Sequence, residues 1–202
     1  MLQVNKIYSQ FFFLILTTLL VSVETQAGFY FEPFLGYRQE KIKFTDLASL
    51  ESEYKLSGPT YGLNLGVATA TGIFLNLSGS QFKGKADTTP VQTDNPEFTH
   101  NNGAVQVGVS AMGLLKIYLG YILLNELEMK SPSPLSSFNL KGAGYQVGLA
   151  LSLIPRLSLG AQYNIHQFNE ISGDSFVAGK DIKNYYNKVD SQDLFAYLAY
   201  SF

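Results

Sequence analysis

The chain has 202 residues, no cysteine, no tryptophan and a net charge of −2, with 15% charged and 14% aromatic residues. Ordinary soluble domains have roughly 25% charged residues, so the low charged fraction argues against a disordered or strongly solvated chain. The absence of cysteine excludes a disulfide scaffold and a cysteine nucleophile. The slightly negative net charge excludes a basic nucleic-acid-binding surface. The mean hydropathy of +0.06 is too low for a bundle of membrane helices but fits membrane strands that alternate apolar with small polar residues.

Residues 1–27 are predicted to be a signal peptide. Lys6 supplies a positive n-region, an apolar run follows over residues 11–23, and Thr25 and Ala27 are small residues at the positions that a signal peptidase reads. As a helix this run would reach only about 20 Å, less than the hydrocarbon core of roughly 30 Å, so a retained anchor is disfavoured. We expect cleavage after Ala27, an exported protein, and a single barrel domain over residues 28–202.

The remainder of the chain alternates with a period of two, which predicts β-strands. No apolar run beyond Val23 has the length of a membrane helix. In the first patterned segment, one face is apolar and consists of Phe29, Phe31, Leu35 and Tyr37. The opposite face contains Glu32, Gly36 and Arg38. Seven further segments carry the same pattern, at 61–68, 73–78, 105–110, 116–123, 144–153, 157–165 and 193–202.

The face opposite the apolar one is unusual for a soluble sheet. It consists mostly of Gly, Ser, Ala, Asn and Gln, where a solvated face would be rich in Lys, Glu and Thr. Small side chains suit the narrow interior of an eight-stranded barrel, and the aliphatic face then meets lipid. A soluble, calycin-like barrel is disfavoured because its outer face would be polar.

Charged residues cluster at 38–55, 83–102, 126–141 and 170–193, whereas the connections at 69–72, 111–115 and 154–156 are short. Outer-membrane barrels alternate in this way, with short periplasmic turns at one rim and long external loops at the other. We therefore predict an all-β fold, an eight-stranded antiparallel up-and-down transmembrane β-barrel with strands of about 10–12 residues and both termini in the periplasm. Ten strands would result if the second or fourth long loop contained a hairpin.

A family resemblance rests on the opening strand at 31–37, the Gly-Tyr-Gln-Val-Gly-Leu run at 144–149 and the chain end at 194–202. The sequence resembles the small outer-membrane barrel proteins of Gram-negative bacteria, the class that includes the OmpA membrane domain, OmpX and OmpW. The resemblance implies a location in the cell outer membrane and a last strand that pairs with the first. It also implies that the barrel-assembly machinery reads a signal formed by Leu194, Leu198, Tyr200 and Phe202.

Three charged residues fall on the predicted inner face, Glu32, Arg38 and Lys116. Unpaired charge there would be costly, so these residues are expected to pair with one another or with trapped water. One interpretation is an ionic plug, and the other is a small selective pore lined by the charges. The plug is favoured because side chains nearly fill the interior of an eight-stranded barrel.

His166 lies near the external end of a predicted strand and is interpreted, with Gln162 and Asn164, as a polar group of the lumen or rim. His166 and Asn169 faintly resemble the His-x-Ser-Asn motif of outer-membrane lipid A deacylases, but Phe168 stands at the serine position. Without that nucleophile no catalytic residue is predicted.

His100 is expected to be a solvated residue of the second long loop. Since the two histidines are far apart in sequence and cysteine is absent, no metal site and no cofactor are predicted. Calcium at Asp190 and Asp193 has no spaced loop motif to support it.

The expected function is that of a non-enzymatic, monomeric outer-membrane protein that contributes to envelope integrity or surface interaction through its extracellular loops. Its expected partners are outer-membrane lipids, lipopolysaccharide and the barrel-assembly machinery. One alternative is a narrow, porin-like channel for small or apolar solutes, and another is a lipid-modifying enzyme.

Overall fold

The computed structural model describes residues 28–89, 96–130, 137–173 and 176–202, which form a closed β-barrel. Residues 1–27, predicted to be the signal peptide, lie outside the described residues. Each wall strand pairs antiparallel with its neighbours, and the last strand pairs with the first to close the barrel. Within these ranges, no helix has the length and apolarity that crossing a membrane requires.

Eight long strands form the wall, and one short strand lies beside them. The strands are β1 (Gly28–Asp46), β2 (Glu51–Ala68), β3 (Ile73–Thr89), β4 (Glu97–Ala111), β5 (Leu115–Lys130), β6 (Phe138–Ile154), β7 (Leu157–Gly173), the short β8 (Phe176–Asp181) and β9 (Tyr186–Tyr200). Strand β8 pairs with β7 in the fourth long connection and stays outside the closed wall, where β7 pairs with β6 and β9. The prediction of an eight-stranded up-and-down barrel is confirmed, and the ten-stranded alternative is wrong.

Three short turns join wall strands at one rim. They occupy residues 69–72, 112–114 and 155–156, where the sequence predicts short connections. Gly72 and Gly113 have φ of 84° and 64°, a left-handed conformation that glycine adopts without steric cost. Because outer-membrane barrels place their short turns in the periplasm, we name this rim the periplasmic rim and the opposite one the extracellular rim.

The wall nearest the short turns carries an apolar outer band. Its side chains point outward in alternation, and Leu35, Leu119 and Leu123 remain 62–63% exposed. Along β1 the band covers residues 29–37, about the nine residues that a tilted strand needs to span a bilayer. Lipid tails match this surface, whereas water would not.

The predicted lengths of strands and loops are wrong. The wall strands have 15–19 residues, and residues 47–50 alone join β1 to β2. Period-two alternation continues through the charged stretches, where Lys41, Lys43 and Lys55 point outward while Ile42 and Leu56 point inward. Above the membrane the outer face of a strand meets water, so charge there indicates a longer wall and not a loop.

The interior of this extracellular extension is an apolar core, which we call the apolar cap. All eight wall strands and a short helical turn at 182–184 contribute buried side chains to it: Ile42, Phe44, Leu56, Phe82, Ala86, Phe98, Leu127, Met129, Leu140, Phe168, Ile171, Ile182 and Val189. Tyr54, Tyr185 and Tyr186 pack against the apolar cap. Burial raises the pKa of the Tyr54 and Tyr186 phenols, which favours their neutral form.

Candidate functional site in the barrel interior

The layer nearest the periplasm is an ion pair between β1 and β5. The Lys116 Nζ atom lies 2.7 Å from Glu32 Oε2, and Glu32 is buried while Lys116 keeps partial exposure. Asn64 and Ser201 donate further hydrogen bonds to the Glu32 carboxylate. Two of the three predicted interior charges therefore neutralise one another in the lumen.

Above this pair, tyrosines and amides cross the lumen. The Tyr118 hydroxyl donates to Gln162 Oε1 at 2.8 Å and lies 3.0 Å from the Tyr197 hydroxyl. Gln162 Nε2 donates to Asn164 Oδ1 at 2.7 Å and to Gln146 Oε1 at 3.1 Å. Gln162 and Asn164 thus lie in the lumen, as the sequence predicts, and link β5, β6 and β7 in one polar layer.

Glycines lie directly against the rings of Tyr118 and Tyr197. A Cβ added at Gly148 would collide with the ring of Tyr118, and one added at Gly160 would collide with the ring of Tyr197. The small residues of the inner face therefore do not leave open space, because an aromatic side chain from another strand lies over each of these two glycines.

The third layer contains His166. Its Nε2 atom lies 2.7 Å from Asp193 Oδ2, and Asn164 donates to the other oxygen of that carboxylate. Arg38, the third predicted interior charge, has its Nε atom 3.6 Å from Asp193 Oδ1. The Arg38 guanidinium also lies over the rings of Phe82 and Phe195, with its Cζ 5.4 and 5.3 Å from their centroids.

His100 completes this layer, and the prediction about its position is wrong. It is a fully buried residue of β4 and not a solvated loop residue. Its Nδ1 atom lies 2.7 Å from Glu40 Oε2, and its Nε2 atom lies 2.7 Å from Asn125 Oδ1. The rings of His100 and His166 lie 5.0 Å apart between centroids, so residues far apart in sequence share one site.

The phase of the alternation gives the signal that would have located His100. It follows the same two-residue step as Asn102, Ala104 and Gln106 on the inner face of β4. Glu40 is in phase with Glu32 and Arg38 on β1 in the same way. Because the predicted strands ended where the charged stretches begin, His100 and Glu40 were assigned to loops and not to the inner face.

These side chains include potential metal donors. A carboxylate oxygen of Glu40 and one ring nitrogen each of His100 and His166 lie within 4.8 Å of one another, and all three residues are buried. The prediction that no ligand cluster exists was based on sequence distance, and the closed barrel overturns that premise.

The predicted assembly residues lie on the outer face of the closing strand and just beyond its end. Leu194, Leu198, Tyr200 and Phe202 are 40–69% exposed. The backbone N–H of Phe202 donates to the carbonyl of Phe31 at 2.9 Å, which holds the chain end against β1. Recognition of this segment by the assembly machinery stays a prediction.

Residues 12–202 match the model of a family described as the outer membrane protein beta-barrel domain. No curated protein matches the sequence. Ail, the attachment invasion locus protein of Yersinia pestis solved with the heparin analogue sucrose octasulfate, has a TM-score of 0.57 and 13% identity, covering 86% of this chain and 99% of Ail.

Two further solved structures are similar. Neisserial surface protein A has a TM-score of 0.51 and 14% identity over 88% of this chain and all of its own. OprG from Pseudomonas aeruginosa has a TM-score of 0.50 and 13% identity over 90% of this chain and 99% of its own. At such low identity these similarities establish the fold alone.

Proposed function

The chain belongs to the outer membrane protein β-barrel family, and from that premise we propose that it is a sealed, non-enzymatic surface protein of the outer membrane. Its family and its structural neighbours imply the outer-membrane location. The protein contacts its partners at the cell surface through the outer wall of the extracellular extension. Its lumen conducts no solute.

The packing of the interior carries this proposal. The Glu32–Lys116 pair, the tyrosine and amide layer, the histidine layer and the apolar cap follow one another from the periplasmic to the extracellular end. Among the described residues, large side chains such as Arg38, Phe82 and Phe195 are at most 2% exposed. An ion entering this lumen would have to displace paired charges and then pass a buried apolar layer.

Single-channel recording in planar bilayers tests the sealed lumen. The refolded protein is expected to give no conductance steps, while its folded state is verified by heat-modifiable gel migration. The Glu32→Gln and Lys116→Gln variants are recorded alongside, with the exposed Lys55→Gln as the matched control. Discrete steps whose ion selectivity changes with the two lumen substitutions, and not with the control, would establish the channel alternative instead.

The position of His166 also supports a non-enzymatic role. Its side chain is fully buried inside the barrel and bound to Asp193, whereas a lipid substrate would lie outside the wall. The lipid A mass spectrum of cells with the protein is therefore expected to equal that of cells without it. A mass difference between the two would favour the lipid-modifying alternative.

Lipopolysaccharide is the partner that the outer wall fits best. Lys83, Lys85 and Lys130 line an open groove of about 430 Å³ across β3, β4 and β5, on the charged extension of the wall. Glu97 and Glu128 also line it, and Lys130 pairs with Glu128 at 3.2 Å, so Lys83 and Lys85 are the unpaired cations among its described lining residues. Within the described part of the chain, Lys83 and Lys85 have no acidic partner within 4.0 Å, whereas Lys41, Lys141 and Lys188 do. Unpaired ammonium groups at this height are suited to the phosphates of the outer leaflet.

A further inference from the structure

We propose that the histidine layer of the barrel binds one divalent transition-metal ion, with zinc as the favoured occupant. The ligands are Glu40, His100 and His166, and Asp193 is a positioning residue that orients His166. Two imidazoles and one carboxylate form a ligand set that zinc accepts readily. This inference does not depend on the proposed surface function.

The hydrogen bonding of His166 leaves one nitrogen ready to bind a metal. Its Nε2 atom faces the carboxylate of Asp193 at 2.7 Å, so Nε2 carries the proton and donates it to that carboxylate. Its Nδ1 atom is buried and has no hydrogen-bond partner. A histidine that donates to a carboxylate through one nitrogen and offers the lone pair of the other is the usual arrangement at zinc sites.

His100 offers a second nitrogen ligand for a metal when it adopts the same tautomer as His166. When its Nε2–H donates to Asn125 Oδ1, its Nδ1 lone pair faces Glu40 Oε2 at 2.7 Å. Two lone pairs at this distance repel each other unless a proton or a cation lies with them. A proton would satisfy the His100–Glu40 pair but would leave Nδ1 of His166 unpartnered, whereas a metal ion satisfies all three donors.

The charges that face the layer also favour a cation. Among the described residues, Glu40 and Asp193 contribute two negative charges to this layer and Arg38 contributes one positive charge, and all three are buried. With neutral imidazoles the layer carries a net negative charge, which is costly in a medium of low dielectric constant. A bound divalent cation compensates it.

The site would tie together strands that do not touch in the wall. Glu40 lies on β1, His100 on β4 and His166 on β7, and no two of these strands are paired. The ion would therefore brace the barrel from within at the base of the apolar cap. Because the layer is buried, we expect the ion to enter while the barrel folds.

Metal content after refolding tests the proposal. The protein is refolded in detergent micelles with zinc, passed over a chelating column and analysed by atomic emission. About one zinc ion per chain is expected, and refolding with Co²⁺ is expected to give the visible d–d absorption of a site with nitrogen ligands. The Co²⁺ spectrum uses the wild-type protein, so it remains informative even if a variant fails to fold.

Variants identify the ligands. His100→Gln and His166→Gln are each expected to lower zinc occupancy by about tenfold or more, and Asp193→Asn is expected to weaken zinc affinity by about 10–100-fold. The matched control is Gln106→Asn, a lumen substitution on the same strand as His100 that bonds to Asn76 and not to the site, and it should keep full occupancy. Less than a tenth of a zinc ion per folded wild-type chain, or full occupancy in the His100→Gln/His166→Gln double variant, would overturn the proposal.

Discussion

At the scale of single residues, the interior charges act as partners. The Glu32 carboxylate is buried and depends on Lys116 for its counter-charge. Lys116→Met is therefore expected to lower the free energy of unfolding by about 3 kcal/mol, because it leaves a buried carboxylate unpaired. Urea unfolding in lipid vesicles measures the effect.

A double variant separates charge pairing from packing. Glu32→Gln combined with Lys116→Met is expected to recover most of the lost stability, since it removes both charges together. The exposed Lys55→Met should stay within about 0.5 kcal/mol of the wild type. If the double variant is as unstable as the sum of its single variants, the two residues act independently and the pairing argument fails.

At the scale of strands, the small inner faces have a specific packing role. Gly160 on β7 lies beneath the ring of Tyr197, and an added methyl group would collide with that ring. Gly160→Ala is expected to destabilise the barrel by about 1–3 kcal/mol because the ring must shift in a filled lumen. The midpoint of urea unfolding reports this change.

Gly79 on β3 provides the matched substitution. Its added Cβ would meet no atom within 4 Å. Gly79→Ala is expected to be neutral or stabilising by up to about 1 kcal/mol, because alanine has less backbone freedom to lose than glycine. Equal losses at both positions would mean that the close approach of Tyr197 does not govern the choice of glycine at Gly160.

At the scale of the whole molecule, the barrel reverses its polarity along its axis. Within the membrane its outside is apolar and its inside holds polar layers beside a small buried cluster that includes Phe34, Phe195 and Tyr197, whereas in the extension its inside is the apolar cap and its outside is charged. Each half matches its own solvent, lipid below and water above. The groove lined by Lys83, Lys85 and Lys130 together with Glu97 and Glu128 belongs to the charged half, and it is the surface that we propose for the headgroups of the outer leaflet.

Lipopolysaccharide should therefore stabilise the protein through this groove. The protein is expected to have a higher melting temperature in vesicles containing lipopolysaccharide than in phosphatidylcholine vesicles. In the Lys83→Gln/Lys85→Gln variant this difference is expected to be smaller by at least about half. Added salt is expected to reduce the difference as well. Lys141→Gln is the control, because Lys141 already pairs with Glu126, and the hydrogen bond to Glu126 raises its pKa. An unchanged response in the double variant would remove the groove as the binding surface.

The class of fold could be predicted from the sequence because alternation is a local property. The direction of Leu35, the inward position of Lys116 and the short turn at 69–72 all follow from a two-residue period and from the chemistry of the residues. Strand length was predicted wrongly because each cluster of charged residues was interpreted as a loop. A charged residue that keeps the two-residue alternation of its strand and points outward, such as Lys43, indicates that the strand continues beyond the membrane.

The sequence by itself determined the alternation, the number of wall strands and the polarity of each face, since these depend on neighbours within a strand. Only the tertiary structure decided which inner residues meet. Closing the barrel brings Glu40, His100 and His166 together from three unpaired strands, at sequence separations of 60 and 66 residues. No local pattern encodes that approach, because it depends on the register of every strand pair between them.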